Sequence, residues 1–467
     1  MSMDAHNSSA QGQSLDEVKN SNAGALKDWT PSPTIVATSD PEKGYEGGSS
    51  SDVNGPAPDG GFAAWLVIFG CFCGGFATLG FANAFGIFQS YYEGVIPGAT
   101  QSTIAWIGSL QYCLIFLPGL AAGHMADKGF FKLPLFCASV VLVVSTFLVA
   151  ECKTLWQLIL CQGFAIGGSA GFIFIPSLSI IPQWFDKRRG RAYGITALGS
   201  SLGGTTLPII IRHSMNSVGF KWTVRILAFM ILALMIAFNL TVRPRYSVAK
   251  KDRIPVSLKE LLTHKAFMTY IAGTTIVWLG LYNCLAFLDV SAQRIGVSPE
   301  RSIYTLVAAN AASGLGRVSS GFLGEHYGVF NVFILFSILS AIMSIAWPYA
   351  HSLASLMVIA VLYGTSSGAF VSLLPAGTSF LVPHHMMGRA LGLNGLFMAI
   401  GALVGNPIAG QILISTGNFN AVGGWAGNYA SLRLFIGLRD ELTWPPSSSS
   451  QAQLLCLQYS FSFGRGE

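Results

Sequence analysis

The sequence predicts an all-α membrane protein built from two related bundles of six helices, and three observations lead to this fold class. Only 10% of the residues are charged, whereas 52% are hydrophobic, and a soluble domain carries about 25% charged residues. From Phe62 onward, apolar runs long enough to cross a bilayer alternate with short polar breaks. Two motifs recur in the two halves of the chain at one common offset. The low charge alone excludes a water-soluble globule.

The chain begins with a polar tail, residues 1–57. This tail is rich in Ser, Asn, Gly, Pro and Asp and has no apolar periodicity, a composition typical of disordered segments. Met1 is followed by polar residues and not by a short apolar core, so no cleavable signal is predicted. We therefore expect a disordered tail that stays in the cytosol.

Successive apolar runs predict membrane-spanning helices, because only helices and closed barrels satisfy the backbone in hydrocarbon and these runs lack the alternation of barrel strands. The runs are 62–89, 102–123, 134–150, 154–181, 190–211, 222–241, 266–290, 302–323, 330–348, 353–380 and 388–413. The longest polar interruption, 243–265, is predicted to be a cytosolic linker. It separates an N-terminal bundle (58–242) from a C-terminal bundle (266–438).

The orientation of the bundle follows from Lys and Arg in the short loops, which are enriched on the cytosolic side of membrane proteins. With the N-terminus in the cytosol, most of these residues fall in cytosolic loops, among them Lys128, Lys187, Arg188 and Arg389. The opposite loops carry few. The N-terminus is therefore predicted to be inside.

Two motifs indicate that the halves arose by duplication. Gly123-His-Met-Ala-Asp127 parallels Gly321-Phe-Leu-Gly-Glu325 at an offset of 325 − 127 = 198 residues, and Gly190-Arg191 parallels Gly388-Arg389 at the same offset. Parallel six-helix repeats around a midplane cavity describe the major facilitator fold. The sequence thus predicts two pseudo-symmetric six-helix bundles of that type.

The C-terminal end departs from this plan. Residues 430–438 are expected to begin the twelfth helix, but Arg439, Asp440 and Glu441 interrupt it, and such charges cost several kcal/mol at the centre of a membrane helix. We therefore predict an apparently truncated twelfth helix and an aberrant polar tail, 439–467. Translation of a misjoined exon or an unspliced intron is favoured over a natural truncation.

Two further stretches carry a family resemblance. Pro58-Asp59-Gly60-Gly61-Phe62, followed by Trp65, and Trp184-Phe185-Asp186-Lys187-Arg188-Arg189-Gly190-Arg191 resemble the two signatures of the monocarboxylate transporter family of the major facilitator superfamily. The long Ser-rich tail and the Asn-Ala-Phe-Gly-Ile-Phe-Gln run are similar to fungal members, whose substrates vary. The resemblance implies secondary transport by alternating access.

Two positions depart from the family pattern. Proton–lactate symporters of this family carry a lysine in the first span, where this chain has Ala82 and Asn83, and an aspartate one turn before the arginine of the eighth span, where it has Ser313. The arginine itself is matched by Arg317. Proton–lactate symport is therefore not expected, while coupling to a proton or another ion stays open.

Arg317 is the first candidate for substrate binding because it is the one ionisable residue deep in a predicted span. It precedes Glu325 by eight residues, which places it about 12 Å from the cytosolic end. It either binds a carboxylate of the substrate or donates to backbone carbonyls and hydroxyls that fix its helix. Polar residues that could line the cavity with it are Asn83, Tyr282, Asn283, Asn310 and Ser313.

The loop that contains Asp127 and Lys128 is the candidate gate. The resemblance implies a latch in which the Asp127 carboxylate approaches a helix N-terminus and basic residues such as Arg191 or Arg389, with Glu325 as the equivalent acid of the second half. The alternative is a hydrated loop that only sets the topology.

These features predict a secondary active or facilitative transporter of a small organic anion or an amphipathic metabolite. The alternatives are an efflux pump for a fungal secondary metabolite and a non-transporting, transporter-like sensor. No paired deep carboxylates, HExxH or Ser–His spacing suggests an enzyme, and no cofactor, metal or nucleic acid is expected. The predicted partners are the substrate and the lipid bilayer, with an accessory subunit left open. The plasma membrane is the expected location, and a vacuolar or other organelle membrane the alternative.

Overall fold

The computed structural model describes residues 57–96, 101–245, 258–382 and 386–427. Over these residues the chain is helical, with nine helices long and apolar enough to cross a membrane, which confirms the predicted fold class. These helices are Phe62–Asn83, Thr103–Asp127, Lys132–Val149, Leu155–Trp184, Arg189–Thr241, Lys265–Arg294, Val329–Tyr349, Leu353–Leu381 and Met387–Thr416. We number the spans in chain order.

The helix Arg189–Thr241 contains two spans. Its 53 residues would rise about 80 Å, more than twice the roughly 30 Å of a hydrocarbon core. Gly219 interrupts it with φ of 76° and ψ of 171°. The fifth span therefore lies before Gly219 and the sixth after it.

The eighth span is Pro299–Tyr327, whose 29 residues are long enough to cross a bilayer. Lys265–Arg294 precedes it as the seventh span, and Val329–Tyr349, Leu353–Leu381 and Met387–Thr416 follow as the ninth to eleventh. The linker predicted at 243–265 holds a short helix, Leu258–Thr263.

Three spans of the N-terminal half are locally irregular. The first span contains a π-helical turn, Phe76–Gly80, and continues after Ala84 as Phe85–Val95, beyond its predicted end. The second span breaks at Pro118, between Phe116 and Gly119, as expected from a residue without an N–H. The fourth span has a π-helical segment, Ile159–Ile166. Such turns are frequent at functional sites.

A further helical segment follows the eleventh span. Residues 419–427 are helical, directly after Gly417, whose φ of 62° ends the eleventh span. This segment was not predicted because Asn418, Asn420 and the following glycines resemble a loop in sequence. The predicted start of the twelfth helix at 430–438 and the tail 439–467 lie outside the described residues, as do residues 1–56.

The two halves pack on each other through the second and eleventh spans and through the fifth and eighth spans. Glycines permit this close approach: a Cβ on Gly190 would lie 2.8 Å from the Gly321 carbonyl oxygen, and one on Gly123 would overlap the Gly388 carbonyl. Both contacts lie at the end that carries the basic loops. The end predicted to be cytosolic is therefore closed by backbone contact between the halves.

Candidate functional site: a closed gate and an apolar central cavity

The first half of the predicted gate is Asp127, the last residue of the second span. Its Oδ1 accepts a hydrogen bond from the Gly388 N–H and its Oδ2 one from the Arg389 N–H, each at 2.9 Å. These donors are at the start of the eleventh span, where free N–H groups and the helix dipole favour a carboxylate. The Arg389 Nε lies 3.7 Å from Oδ2. Asp127 therefore joins the two halves at the start of the eleventh span.

Glu325 and Arg191, the second half of the predicted gate, form an ion pair. The Arg191 Nε lies 2.5 Å from the Glu325 Oε2, and the Arg191 N–H donates to Oε1 at 3.4 Å. The guanidinium also lies 4.8 Å from the centre of the Phe322 ring. Arg191 is in the first turn of the fifth span, so this acid also meets a helix N-terminus of the other half.

The two ion pairs are equivalent by the sequence repeat. Asp127 and Glu325 are separated by 198 residues, and so are Arg191 and Arg389. The duplication inferred from sequence thus coincides with a pseudo-symmetric pair of contacts. Lys128, the other predicted gate residue, is exposed at the end of the second span.

The two stretches that resemble family signatures form one contact at the end predicted to be cytosolic. The Asp59 Oδ1 accepts from the N–H groups of Asp186 at 2.6 Å and Arg188 at 3.3 Å, and Asp59 adopts a positive φ of 51°. The Trp65 and Phe185 rings meet edge to face, with centroids 5.0 Å apart. The segment before the first span therefore holds the loop that leads into the fifth span and its gate residue.

Arg317 is engaged within the protein. Its Nη1 donates to the Ala197 carbonyl at 2.6 Å and to the Ser200 hydroxyl. Both acceptors belong to the fifth span, so the guanidinium connects the eighth span to it. These contacts correspond to the helix-fixing alternative for Arg317. One turn away, Ser313 and Ser201 share a hydrogen bond of 2.7 Å across the same interface.

The other predicted substrate-binding residues are dispersed. Asn83 accepts from the Tyr112 hydroxyl at 2.5 Å within the N-terminal half, Asn283 donates to the Leu279 carbonyl of its own helix, and the Asn310 carbonyl accepts from Ser313. Tyr282 is in the seventh span, and its side chain lies outside the described part of the structure. Of the predicted set, Arg317 and Ser313 contact the fifth span one turn apart, and Asn310 lies a further turn along the same helix.

A cavity lies between the halves, and about 40 Å³ of it is open to the centre of a water-sized sphere. Its described wall combines aromatic, aliphatic and small residues from both halves: Gly75, Leu79, Phe116, Phe174, Ile175, Leu178, Tyr193, Thr196, Ala197, Ser200, Trp278, Val371, Leu374, Pro375, Leu391, Gly395 and Met398. None of the predicted substrate-binding residues is in this wall, although Arg317 bonds to two of its members.

Aromatic contacts connect the two halves at this cavity. The Phe116 ring meets the Trp278 indole of the other half edge to face at 5.5 Å and the Phe174 ring at 6.2 Å. These residues were not predicted because an apolar side chain within an apolar run has no sequence signal that separates a cavity wall from a lipid-facing surface.

Comparison with known proteins agrees with this architecture. The sequence profile of the Major Facilitator Superfamily matches residues 67–406. The chain belongs to the Major Facilitator Superfamily. It is therefore a multi-pass membrane transporter of a small molecule.

Several similar proteins of this superfamily come from fungi. The MFS transporter asaE of Aspergillus flavus is 34% identical over 391 residues, which cover 82% of this chain and 85% of that protein. The aspyridones efflux protein of Emericella nidulans is 34% identical and covers 78% and 74%, respectively. The fujikurins efflux protein of Gibberella fujikuroi is 35% identical and covers 82% and 81%.

Solved structures share the fold. The Escherichia coli fucose:proton symporter superposes with a TM-score of 0.64 at 12% identity, covering 80% of this chain and 97% of the symporter. A human organic anion transporter gives 0.64 at 15% identity, covering 80% and 98%. At these identities the likeness concerns the major facilitator fold alone.

Proposed function

We propose that this protein exports a small metabolite from the cytosol by alternating access. The observation that carries the proposal is an apolar cavity between two repeats whose cytosolic end is closed by two equivalent ion pairs. Two relatives with more than 30% identity are named as efflux proteins for aspyridones and fujikurins. Their names favour export of a secondary metabolite over nutrient uptake.

The gate residues suggest how the cytosolic end opens. In the closed state Asp127 and Glu325 each accept from backbone N–H groups of the opposite half and face a guanidinium. Opening must break both sets of contacts and expose the four side chains to water, which replaces the lost hydrogen bonds. Polar groups that water can solvate after separation suit a reversible seal better than a large apolar interface does.

Membership of the monocarboxylate transporter branch is part of this proposal. It is supported by the contact between Asp59 and the 186–188 turn, since the two stretches that carry the resemblance support each other in space. The proposal also includes coupling of transport to a proton or another ion. It places the protein in the plasma membrane. The roles of Arg317, Ser313, Asn310, Asn83, Asn283 and Tyr282 in substrate binding stay predictions.

A comparison of metabolites inside and outside producing cells, with and without the gene, tests the proposal. Loss of the gene should raise the internal and lower the external amount of at least one compound. Inside-out vesicles that contain the protein should then take up this compound saturably and exchange it in counterflow. A Glu325→Arg variant, which places like charges at the gate, should lose the flux at equal abundance. Unchanged metabolite distributions, or a compound without saturable flux, would contradict export.

A further inference from the structure

Thr196 differs from the other threonines of the spans. In the described spans, threonine hydroxyls commonly donate to a carbonyl of the preceding helical turn, as at Thr78, Thr146, Thr205, Thr206, Thr223, Thr241, Thr274, Thr275 and Thr378. The Thr196 hydroxyl is buried and has no hydrogen-bond partner among the described residues, and the residue is only 3% exposed. A buried polar group without a partner is costly and calls for an explanation.

The position of Thr196 supplies one, because this residue is in the wall of the central cavity. Around it the wall is apolar, with the rings of Phe116, Phe174 and Trp278 as its largest flat surfaces. Such surfaces favour planar, apolar ligands through stacked and edge-to-face contacts. A hydroxyl free to donate or accept in this setting is the kind of polar group that orients a ligand in an apolar site.

The charge of the wall limits the ligand further. None of the described residues in the wall is charged. Arg317 is not among the described wall residues, and its Nη1 donates to the carbonyl of Ala197 and the hydroxyl of Ser200. A carboxylate in the cavity would be desolvated among apolar groups with no cation in the described wall, which is strongly unfavourable.

We propose that the cavity binds a neutral, planar aromatic ligand and that the Thr196 hydroxyl forms a hydrogen bond with a hydroxyl or carbonyl group on that ligand. This inference rests on the proposed transport function and specifies its substrate class. Arg317 predicted a substrate with a carboxylate. The present inference instead predicts a substrate with an uncharged polar group, which Thr196 of the fifth span binds.

Three probes of one shape test the charge and the polar group separately: naphthalene, 2-naphthol and 2-naphthoate. Their binding is measured by calorimetry at neutral pH with the full-length protein in lipid nanodiscs, and nanodiscs without protein correct for partition into lipid. We expect 2-naphthol to bind about tenfold more tightly than naphthalene, the gain of one buried hydrogen bond, and 2-naphthoate to bind no better than naphthalene. Val371→Trp, which fills the cavity from the tenth span, should abolish binding of all three probes.

Variants assign the preference to one hydroxyl. Thr196→Val, of nearly the same shape, should remove the tenfold advantage of 2-naphthol, and Thr196→Ser should restore it. Thr205→Val is the matched control, because the Thr205 hydroxyl bonds to the Ser201 carbonyl of its own helix; it should keep the preference. The inference is overturned by tightest binding of 2-naphthoate, by an unchanged preference in Thr196→Val, or by binding of none of the probes. Vesicle flux of the metabolite separates the two proposals: flux without this binding pattern refutes only the inference, and the pattern without flux refutes only transport.

Discussion

Substitution of Gly190 by alanine should open the cytosolic end, because the helices approach too closely there for a side chain. A Cβ at this position would lie 2.8 Å from the Gly321 carbonyl oxygen, whereas ordinary Cβ contacts begin at about 3.4 Å. The obstacle is a backbone atom and cannot rotate away, so the fifth and eighth spans must separate by about 0.6 Å (3.4 − 2.8). Overpacking of this kind costs about 1–3 kcal/mol. If the open state lacks this contact, the ratio of closed to open molecules should fall about 5- to 150-fold.

The assay is alkylation of a cysteine in the cavity wall by a membrane-impermeant maleimide added from the cytosolic side. Leu178→Cys supplies the target because Leu178 is buried in that wall, and mass spectrometry of the labelled peptide separates it from native cysteines. The alkylation rate should rise by the population factor in Gly190→Ala. Gly168→Ala in the fourth span, where a Cβ would meet nothing within 4 Å, should leave the rate unchanged. Equal rates in the two alanine variants would refute the closed-gate interpretation.

Three further outcomes are expected. Glu325→Gln should weaken the closed state by about 1–2 kcal/mol, raise the same alkylation rate, and be reproduced by Asp127→Asn; no increase in either variant would contradict the gate. Asp59→Gly keeps the positive φ but removes the acceptor for two backbone N–H groups. It should therefore lower the unfolding free energy by about 1–2 kcal/mol. In thermal unfolding, Asp59→Asn should stay near wild type. Hydrogen bonds from Lys221 and then Arg225 lower the pKa of Glu151 in the loop before the fourth span. Its ion pairs therefore stabilise the fold above the unfolded pKa of about 4.3, and this stabilisation is lost as the pH falls through the lower pKa of the folded state. An acid-unfolding curve that is unchanged in Glu151→Gln would contradict this.

Helix positions were predictable because the bilayer imposes one strong requirement, a long apolar run, on each span. The equivalence of Asp127 with Glu325 was predictable for another reason: charges next to glycines at span ends are rare enough to be recognised when they repeat. The helical segment 419–427 was not predicted because asparagine and glycine near Phe419 resemble a loop in sequence.

The cavity was not predictable, and the reason is physical. A lipid-facing surface and an apolar ligand site use the same residues, so Phe116, Phe174 and Trp278 look like any other part of their spans. Arg317 and Asn83 were predicted to bind the substrate instead, because a polar group in a membrane helix is expected to be functional. In this conformation both side chains form hydrogen bonds within the protein: Arg317 donates to the fifth span, and Asn83 accepts from Tyr112.

The repeat is symmetric where the halves close and asymmetric beside the cavity. Gly123 and Gly321, like Gly190 and Gly388, occupy equivalent positions and make equivalent backbone contacts. One turn deeper, the equivalent of Arg317 in the first half is a glycine, residue 119. The closing contacts can be the same in both halves because each half packs against an equivalent surface of the other. A ligand without two-fold symmetry, in contrast, requires different groups on its two sides. A transporter for an asymmetric molecule requires halves that differ beside the cavity and share the same closing surface.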